Sequence, residues 1–186
     1  AQSTDTSGTD FWLAFPQNIS TTPSLSLFIA GNTNTAGTVS IPALAVVTPF
    51  SVTAGQVTTV SIPSGAQLQT SDLVQSLGIR VTAQNNVTVY GLNTIPASTD
   101  GYLGLPTSIL GTSYIVLAYQ GGSGSQFAVV GTANGTTVNI TPSVTVGAHT
   151  AGTPYVITLN QGQTYQLTGG TDLTGTIITS NQPIGV

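Results

Sequence analysis

His149 is the one imidazole in this 186-residue chain, and no Cys, Lys or Glu exists to work with it. It stands beside Thr150-Ala151-Gly152, which reads as a turn. No Gly-x-Ser-x-Gly elbow precedes a helix, so the local signature of an activated serine is absent. A Ser–His–Asp arrangement is the remaining catalytic option, and a solitary surface histidine is the reading the pattern favours over it. The acids are five aspartates, Asp5, Asp10, Asp72, Asp100 and Asp172. Glycoside hydrolysis would need two of them close together. Asp72 and Asp172 fall at corresponding places in the two halves of the chain, which points instead to a repeated structural role such as capping a turn. Asp5, Ser7 and Asp10 offer oxygen ligands at short spacing, the kind of set a hard cation such as calcium takes. Their density of acids is below that of a dedicated loop, and a polar N-terminal turn is the competing reading. Calcium is the only cofactor the sequence suggests; no catalytic residue is assigned.

Four Asn-x-Ser/Thr sequons, at Asn18, Asn86, Asn134 and Asn139, are glycosylation candidates. A chain this rich in Asn, Ser and Thr yields such sequons by chance. Trp12 and Phe15 could form a sugar-stacking platform, but their setting resembles a core strand matched by Tyr114 and Tyr119, and packing is favoured.

Charge is the strongest compositional signal. Charged residues are 3% of the chain, Arg80 is the only Lys or Arg, and the net charge is −4. Ordinary soluble domains carry about 25%. There is no basic footprint for nucleic acid or anionic lipid, which excludes those partners. Disorder is a poor fit, because 39% of residues are hydrophobic and they alternate with Ser and Thr. A neutral Thr/Ser/Asn/Gln/Gly surface suits a place where association is tolerated, such as an extracellular polymer or sheath, although biased composition of the source would produce it too. Without Cys there are no disulfides or thiolate metal sites, and without Lys no Lys–Asn isopeptide crosslink. The chain starts at Ala1 and contains no Met, so a processed product or fragment is expected, with Ala-Gln-Ser a plausible start after signal-peptide removal. No apolar run reaches the length of a membrane span, so no membrane insertion is expected.

The elements that must position these groups read as strands. Short β-branched and aromatic runs alternate with turn residues, the pattern of an all-β sandwich or barrel. They fall at 10–15, 24–30, 37–41, 49–52, 57–62, 78–82 and 87–92, then at 113–119, 126–130, 137–141, 154–159, 163–168, 175–179 and from Pro183. Turns are marked at Ala54-Gly55, Asn85-Asn86, Gly121-Gly122, Asn134-Gly135 and Gln161-Gly162. Only residues 71–77 could form a helical turn.

The order of motifs repeats. Gly8-Thr9-Asp10-Phe11 returns as Gly111-Thr112-Ser113-Tyr114, and Gly78 to Thr82 returns as Gly175 to Thr179. Phe28, Val39 and Ile41 match Phe127, Val138 and Ile140; Thr53-Ala54-Gly55 matches Thr150-Ala151-Gly152, and Gly65 matches Gly162. The reading is a flexible N-terminal arm (1–7) and two tandem Ig-like β-sandwiches from an internal duplication (8–92 and 111–186). A linker at 93–110 carries enough apolar residues to pack and join them rigidly. Pro183-Ile184-Gly185-Val186 aligns with the start of 86–92, so the second copy stops inside its last strand. Either the natural chain continues, or a strand from elsewhere completes it. The edge around Ile184 and Val186 is then adhesive for another strand.

Gly8 to Asn18 (Gly-Thr-Asp-Phe-Trp-Leu-Ala-Phe-Pro-Gln-Asn), with the segments 78–92, 99–111, 126–142 and 172–186, resembles the IgGFc-binding protein N-terminal domain family over nearly the whole chain. The resemblance implies an extracellular β-rich module of mucus-associated and bacterial surface proteins, and it brings no catalytic residues. The expected function is a non-enzymatic, secreted structural or surface protein. Its subunits would assemble into a homo-oligomer, filament or sheath through neutral β-edges and Thr/Asn/Gln faces. The alternative is a monomeric adhesion module for a glycan, mucin or immunoglobulin, with a glycan or glycoprotein as ligand.

Overall fold

The computed structural model of the chain describes residues 5–121 and 124–186. It is all-β, and no α-helix occurs among the described residues. Residues 1–4 of the expected N-terminal arm, and Gly122 of an expected turn, lie outside the described residues.

In the first half the strands are β1 (Gly8–Leu13), β2 (Ser24–Ala30), β3 (Thr35–Ile41), β4 (Val46–Val52), β5 (Val57–Ile62), β6 (Leu73–Gln75), β7 (Ile79–Ile95) and β8 (Ser98–Gly104). Strand β7 organises this half. Its first residues pair with β1 and β3, and its later ones pair with β2 and β8. Two layers result, β4-β3-β7-β1 and β5-β2-β7-β8, and β7 passes from one to the other. At the crossing, the Asn85 amide N–H donates to Thr35 Oγ1 at 3.0 Å and Asn85 Nδ2 donates to the Asn34 carbonyl at 3.3 Å. The turn expected at Asn85-Asn86 is therefore a bend inside one long strand, held by side chains that replace lost ladder bonds.

Alternation makes the core. In β2, Leu25, Leu27 and Ile29 are buried while their neighbours are partly or fully exposed. They meet Phe11, Phe15, Val39, Ile41, Ile79, Val81, Val87 and Val89. Each fully buried Leu, Ile or Val contributes about 1.5–3 kcal/mol by removal of apolar surface from water.

The second half contains β9 (Ser113–Ile115), β10 (Ser125–Gly131), β11 (Thr136–Thr141), β12 (Tyr155–Leu159), β13 (Thr164–Gly169), β14 (Ile177–Ser180) and β15 (Ile184–Gly185). One sheet runs β12-β11-β14-β9 and the other β15-β10-β13-β6. Phe127, Val129, Val138, Ile140, Tyr165, Leu167, Leu173 and Ile178 form its core.

One further expectation needs correcting. Residues 71–77 do not make a helical turn: β6 is a strand paired with β13 of the second half through Leu73↔Gln166, Val74↔Tyr165 and Gln75↔Thr164. Val74 packs on the second core, and that tertiary burial overrides the local pattern. Within the residues expected as a linker, 98–104 is strand β8, paired with β7 over seven positions from Val89↔Gly104 to Ile95↔Ser98. The apolar residues there are drawn into the first half's sheet.

The halves meet closely. Trp12 belongs to neither core and lies against Gly162, where an added Cβ would come within 2.8 Å of the indole. Gly162 has φ +76°, so both its backbone and its neighbour favour glycine. The Gly78 N–H donates to the Gly162 carbonyl at 3.0 Å. The Gln17 N–H donates to Gln166 Oε1 at 2.8 Å, and Gln126 Nε2 donates to the Gln17 carbonyl at 2.7 Å.

Candidate binding groove

Where the halves adjoin, a cavity of about 420 Å³ opens to the surface. Three walls define it. Leu13 and Ala14 at the end of β1 form the first, and Leu103 and Leu105 at the end of β8 form the second. The third is β9 and the stretch after it, with Ile115, Val116 and Leu117. Phe127 and Ala128 of β10, with Gly185 and Val186, make the floor. Among the described residues no charged side chain lines it.

The third wall is unusual in exposing apolar side chains. Beyond β9 the chain stays extended because the Val116 N–H donates to the Thr176 carbonyl at 2.9 Å and the Ala118 N–H donates to Thr174 Oγ1 at 3.1 Å. An extended chain puts alternate side chains on opposite faces. Val116 and Ala118 therefore pack on the second core, and Ile115, Leu117 and Tyr119 face outward. They are 74%, 90% and 85% exposed, and contiguous apolar exposure of this kind marks contact surfaces. Residue-by-residue inspection of the sequence does not find this patch. The available signal was the five-residue run Ile115-Val116-Leu117-Ala118-Tyr119, apolar on both faces where a half-buried strand needs only one.

Val186, half exposed at the groove floor, is the member of the expected assembly edge that the structure brings here. Ile184 is not available to a partner. It is fully buried, its N–H donates to the Gly111 carbonyl at 3.1 Å, and its own carbonyl accepts the Tyr114 hydroxyl at 2.7 Å. On the opposite wall Tyr102 packs edge-on to Phe15, with centroids 5.7 Å apart, and burial pushes its phenol pKa up.

His149 is not solitary. Its Nε2 lies 2.9 Å from Asp72 Oδ1, and its ring stacks on Tyr155 at a centroid distance of 3.6 Å. Asp72 Oδ1 also accepts the Tyr165 hydroxyl at 2.7 Å, and the Tyr165 and Tyr155 hydroxyls are 2.8 Å apart. Desolvation opposes the Asp72 charge, yet the hydrogen bonds from His149 and Tyr165 win and its pKa is lowered. Burial and the neighbouring hydroxyl push Tyr165 up; Tyr155, mainly through burial, is pushed up to about 12. Among the described residues no serine hydroxyl is hydrogen-bonded to His149; the contacts link the Asp72 turn and β6 to the second half, in the form of a latch.

Asp72 and Asp172 are not equivalent. Asp72 has φ +59° and serves this latch, whereas Asp172 Oδ1 accepts the Thr174 N–H at 2.9 Å in an ordinary Asx turn. The cation candidates are already engaged: Asp10 Oδ1 accepts from Arg80 Nε at 2.8 Å, and Asp5 Oδ1 accepts the Ser7 N–H at 2.9 Å. Among the described residues no group of three or more His, Cys, Asp or Glu gathers as metal ligands.

Of the sequons, Asn86, Asn134 and Asn139 are exposed. Asn18 is 5% exposed, and its Nδ2, the atom a glycan would take, donates to Asn93 Oδ1 at 3.1 Å. Asn93 in turn donates to Gln67 Oε1 at 2.9 Å, so Asn18 belongs to a buried amide network and not to the glycosylation candidates. Trp12 and Phe15 are buried, as a packing role requires, and no sugar-stacking face remains.

Residues 100–186 match the family model described as IgGFc binding protein. A curated relative, the IgGFc-binding protein of Homo sapiens, is 31% identical over 189 residues, covering 95% of this chain. The chain spans 4% of that protein's length. No solved structure matches. No helix among the described residues is long and apolar enough to cross a membrane.

Proposed function

Since residues 100–186 belong to the IgGFc-binding protein family, we propose that this chain is a non-enzymatic, secreted binding module whose contact surface is the apolar groove between its halves. Its partner is a protein, of the immunoglobulin or mucin-type glycoprotein class. The observation that carries this reading is the uncharged groove with Ile115, Leu117 and Tyr119 projecting beside it. Apolar patches rimmed by polar residues are how soluble proteins present contact sites. The name of the human relative, which refers to the Fc part of immunoglobulin G, favours binding over the filament or surface layer expected from composition.

The module is built from two copies of one β-sandwich. Correspondence of pairing supports this reading. Strand β9 pairs with β14 as β1 pairs with the start of β7, and β10 pairs with β13 and β15 as β2 pairs with β5 and the later part of β7. The pairing corrects the sequence alignment at one point. The Gly55 N–H donates to the Gly31 carbonyl at 3.0 Å, and the Gly162 N–H donates to the Gly131 carbonyl at 2.9 Å. Gly55 therefore corresponds to Gly162, and the matches of Gly55 to Gly152 and of Gly65 to Gly162 are out of register.

The test is surface plasmon resonance against immobilised Fc fragment and purified mucin glycoprotein, using the natural sequence and Leu117→Asp. Leu117 contributes nothing to either core, so the variant folds. The expected result is binding to one of these ligands that the variant weakens tenfold or more, about 1.4 kcal/mol. Binding that Leu117→Asp leaves unchanged overturns the groove assignment.

A further inference from the structure

The same turn is covered in one half and bare in the other. Gly55 and Gly162 correspond, with φ +73° and +76°. At Gly162 the Trp12 ring lies over the turn, whereas at Gly55 an added Cβ would meet nothing. The strands that follow differ in the same way. Val57, Thr59 and Ser61 of β5 correspond to Thr164, Gln166 and Thr168 of β13, since Thr58 pairs with Ile29 as Tyr165 pairs with Val129. Thr164 and Gln166 are fully buried, but Val57 is 63% exposed, and Thr59 and Ser61 are exposed as well. Strand β6 makes part of the difference. The connection from β5 to β7, residues 63–78, carries β6 to the edge of β13, whereas residues 170–176, between β13 and β14, carry no strand. The first half thus caps an edge of the second, and no described strand pairs with the same edge of β5. Both edges, and the strand that caps one of them, lie in the interior of the chain, between residues 57 and 169. Backbone groups alternate in direction along an antiparallel strand. The Asp72 N–H donates to the Gln166 carbonyl at 2.7 Å and the Thr168 N–H donates to Ser71 Oγ at 2.9 Å, so residues 164, 166 and 168 face β6. The N–H and C=O of Val57, Thr59 and Ser61 therefore aim at the open edge. Such edges are ordinarily guarded by lysine, proline or a bulge. The neighbouring edge strand β4 carries Pro49, but β5, Val-Thr-Thr-Val-Ser-Ile, carries neither charge nor proline.

We propose that this edge of β5 binds an extended, uncharged segment of a separate polypeptide, which adds as an antiparallel strand in the manner of β6. The inference rests on the two-copy reading above and goes beyond the groove, to a second contact site. Strand β6 supplies the template. Leu73, Val74 and Gln75 stand opposite Gln166, Tyr165 and Thr164, with Val74 packed on the second core. The ligand therefore places an apolar residue opposite Thr58, facing between the layers, and flanks it with residues that face outward beside Val57 and Thr59. Further along the template, the Gly78 N–H donates to the Gly162 carbonyl at 3.0 Å, and an added Cβ at Gly78 would strike the Gly162 backbone. The ligand accordingly carries a glycine where it reaches the Gly55 carbonyl. It is uncharged because β5 offers no counter-ion. Each copy of this chain keeps its β6 on its own second half, and the second half has no equivalent strand, so the segment comes from a different polypeptide. Strand addition at a free sheet edge draws affinity from main-chain bonds and specificity from the alternate side chains.

The experiment titrates the isotope-labelled chain with a capped synthetic peptide of residues 71–78, in which Asp72→Asn removes the charge, and with its scrambled counterpart, read by amide NMR. The expected result is saturable shifts centred on Val57, Thr59 and Ser61, slowed exchange of the Thr59 and Ser61 amides, and binding of the scrambled peptide weaker by about tenfold or more. Val57→Lys sets a charge on the edge, and Thr59→Pro removes an N–H that aims at it, a place where proline is tolerated. Each should weaken the peptide by about tenfold or more. Val57 belongs to neither core, so its variant folds and keeps the test valid if the proline variant does not. Shifts centred on Thr164 and Gln166 would mean that the peptide only displaces β6, and would overturn the proposal. Equal affinity for the scrambled peptide would overturn it too. So would shifts of the β5 amides that grow with the chain's own concentration when no peptide is present, since a second copy would then hold the edge. If the peptide fails while Fc or mucin still binds through Leu117, the β5 assignment is wrong and the groove reading stands.

Discussion

Strands β1 and β9 are the first strands of their halves and pair antiparallel with β7 and β14, yet they differ in what covers them. At β1, Phe11 and Leu13 are buried in the first core, and Trp12 is buried against Gly162 of the second half. At and beyond β9, Val116 packs on the second core, whereas Ile115, Leu117 and Tyr119 are exposed. Both halves bury an apolar core, so stability does not require that outer face to be covered. The difference leaves an apolar wall beside an uncharged groove, the surface proposed above for contact.

The comparison is broken most severely at the junction. Trp12→Ala should cost about 3–5 kcal/mol, the usual cost of deleting a large buried aromatic. Because Trp12 belongs to neither core, the loss should separate the halves. Urea unfolding followed by circular dichroism should show two transitions where the natural chain shows one.

A paired glycine experiment is smaller and sharper. Gly55 and Gly162 share a left-handed conformation, φ +73° and +76°, but an added Cβ meets nothing at Gly55 and the Trp12 ring at Gly162. Gly55→Ala should therefore cost about 1 kcal/mol of backbone strain. Gly162→Ala should cost about 2–3 kcal/mol, since the indole must also move. Equal costs would show that Trp12 does not press on the second half.

The smallest effect concerns the latch. The Asp72 pKa is lowered by its hydrogen bonds from His149 and Tyr165, so the stabilisation is present above the ordinary value of 3.8 and is lost as pH falls through the folded value. Asp72→Asn should remove about 1 kcal/mol at neutral pH, a figure kept low because the side chain is 45% exposed. The variant should also flatten the fall in stability between about pH 5 and pH 2. Thermal melts across that range check both.

Much of the fold was legible because alternation is a local property. The strands 24–30 and 57–62 were bounded as they occur, and the reappearance of Gly78 to Thr82 as Gly175 to Thr179 agrees with the pairing of both segments to the first strand of their half. The misreadings were non-local. Leu73 and Val74 look helical until β13 is beside them, and Asn18 looks like a surface sequon until Asn93, 75 residues away, takes its amide. His149 finds Asp72 across 77 residues, a partner no local window contains. The groove was not visible, because its lining is assembled from β1, β8, β9 and β10, and its exposed wall resembles an ordinary buried run.

The account's central claim is that the apolar wall of Ile115, Leu117 and Tyr119 is the contact surface. Surface plasmon resonance of Leu117→Asp beside Val47→Asp, a substitution at an exposed residue outside the groove, tests it directly. Leu117→Asp should weaken binding to Fc fragment or mucin by about tenfold or more, whereas Val47→Asp should bind as the natural sequence does. Equal binding by the two variants would contradict the claim.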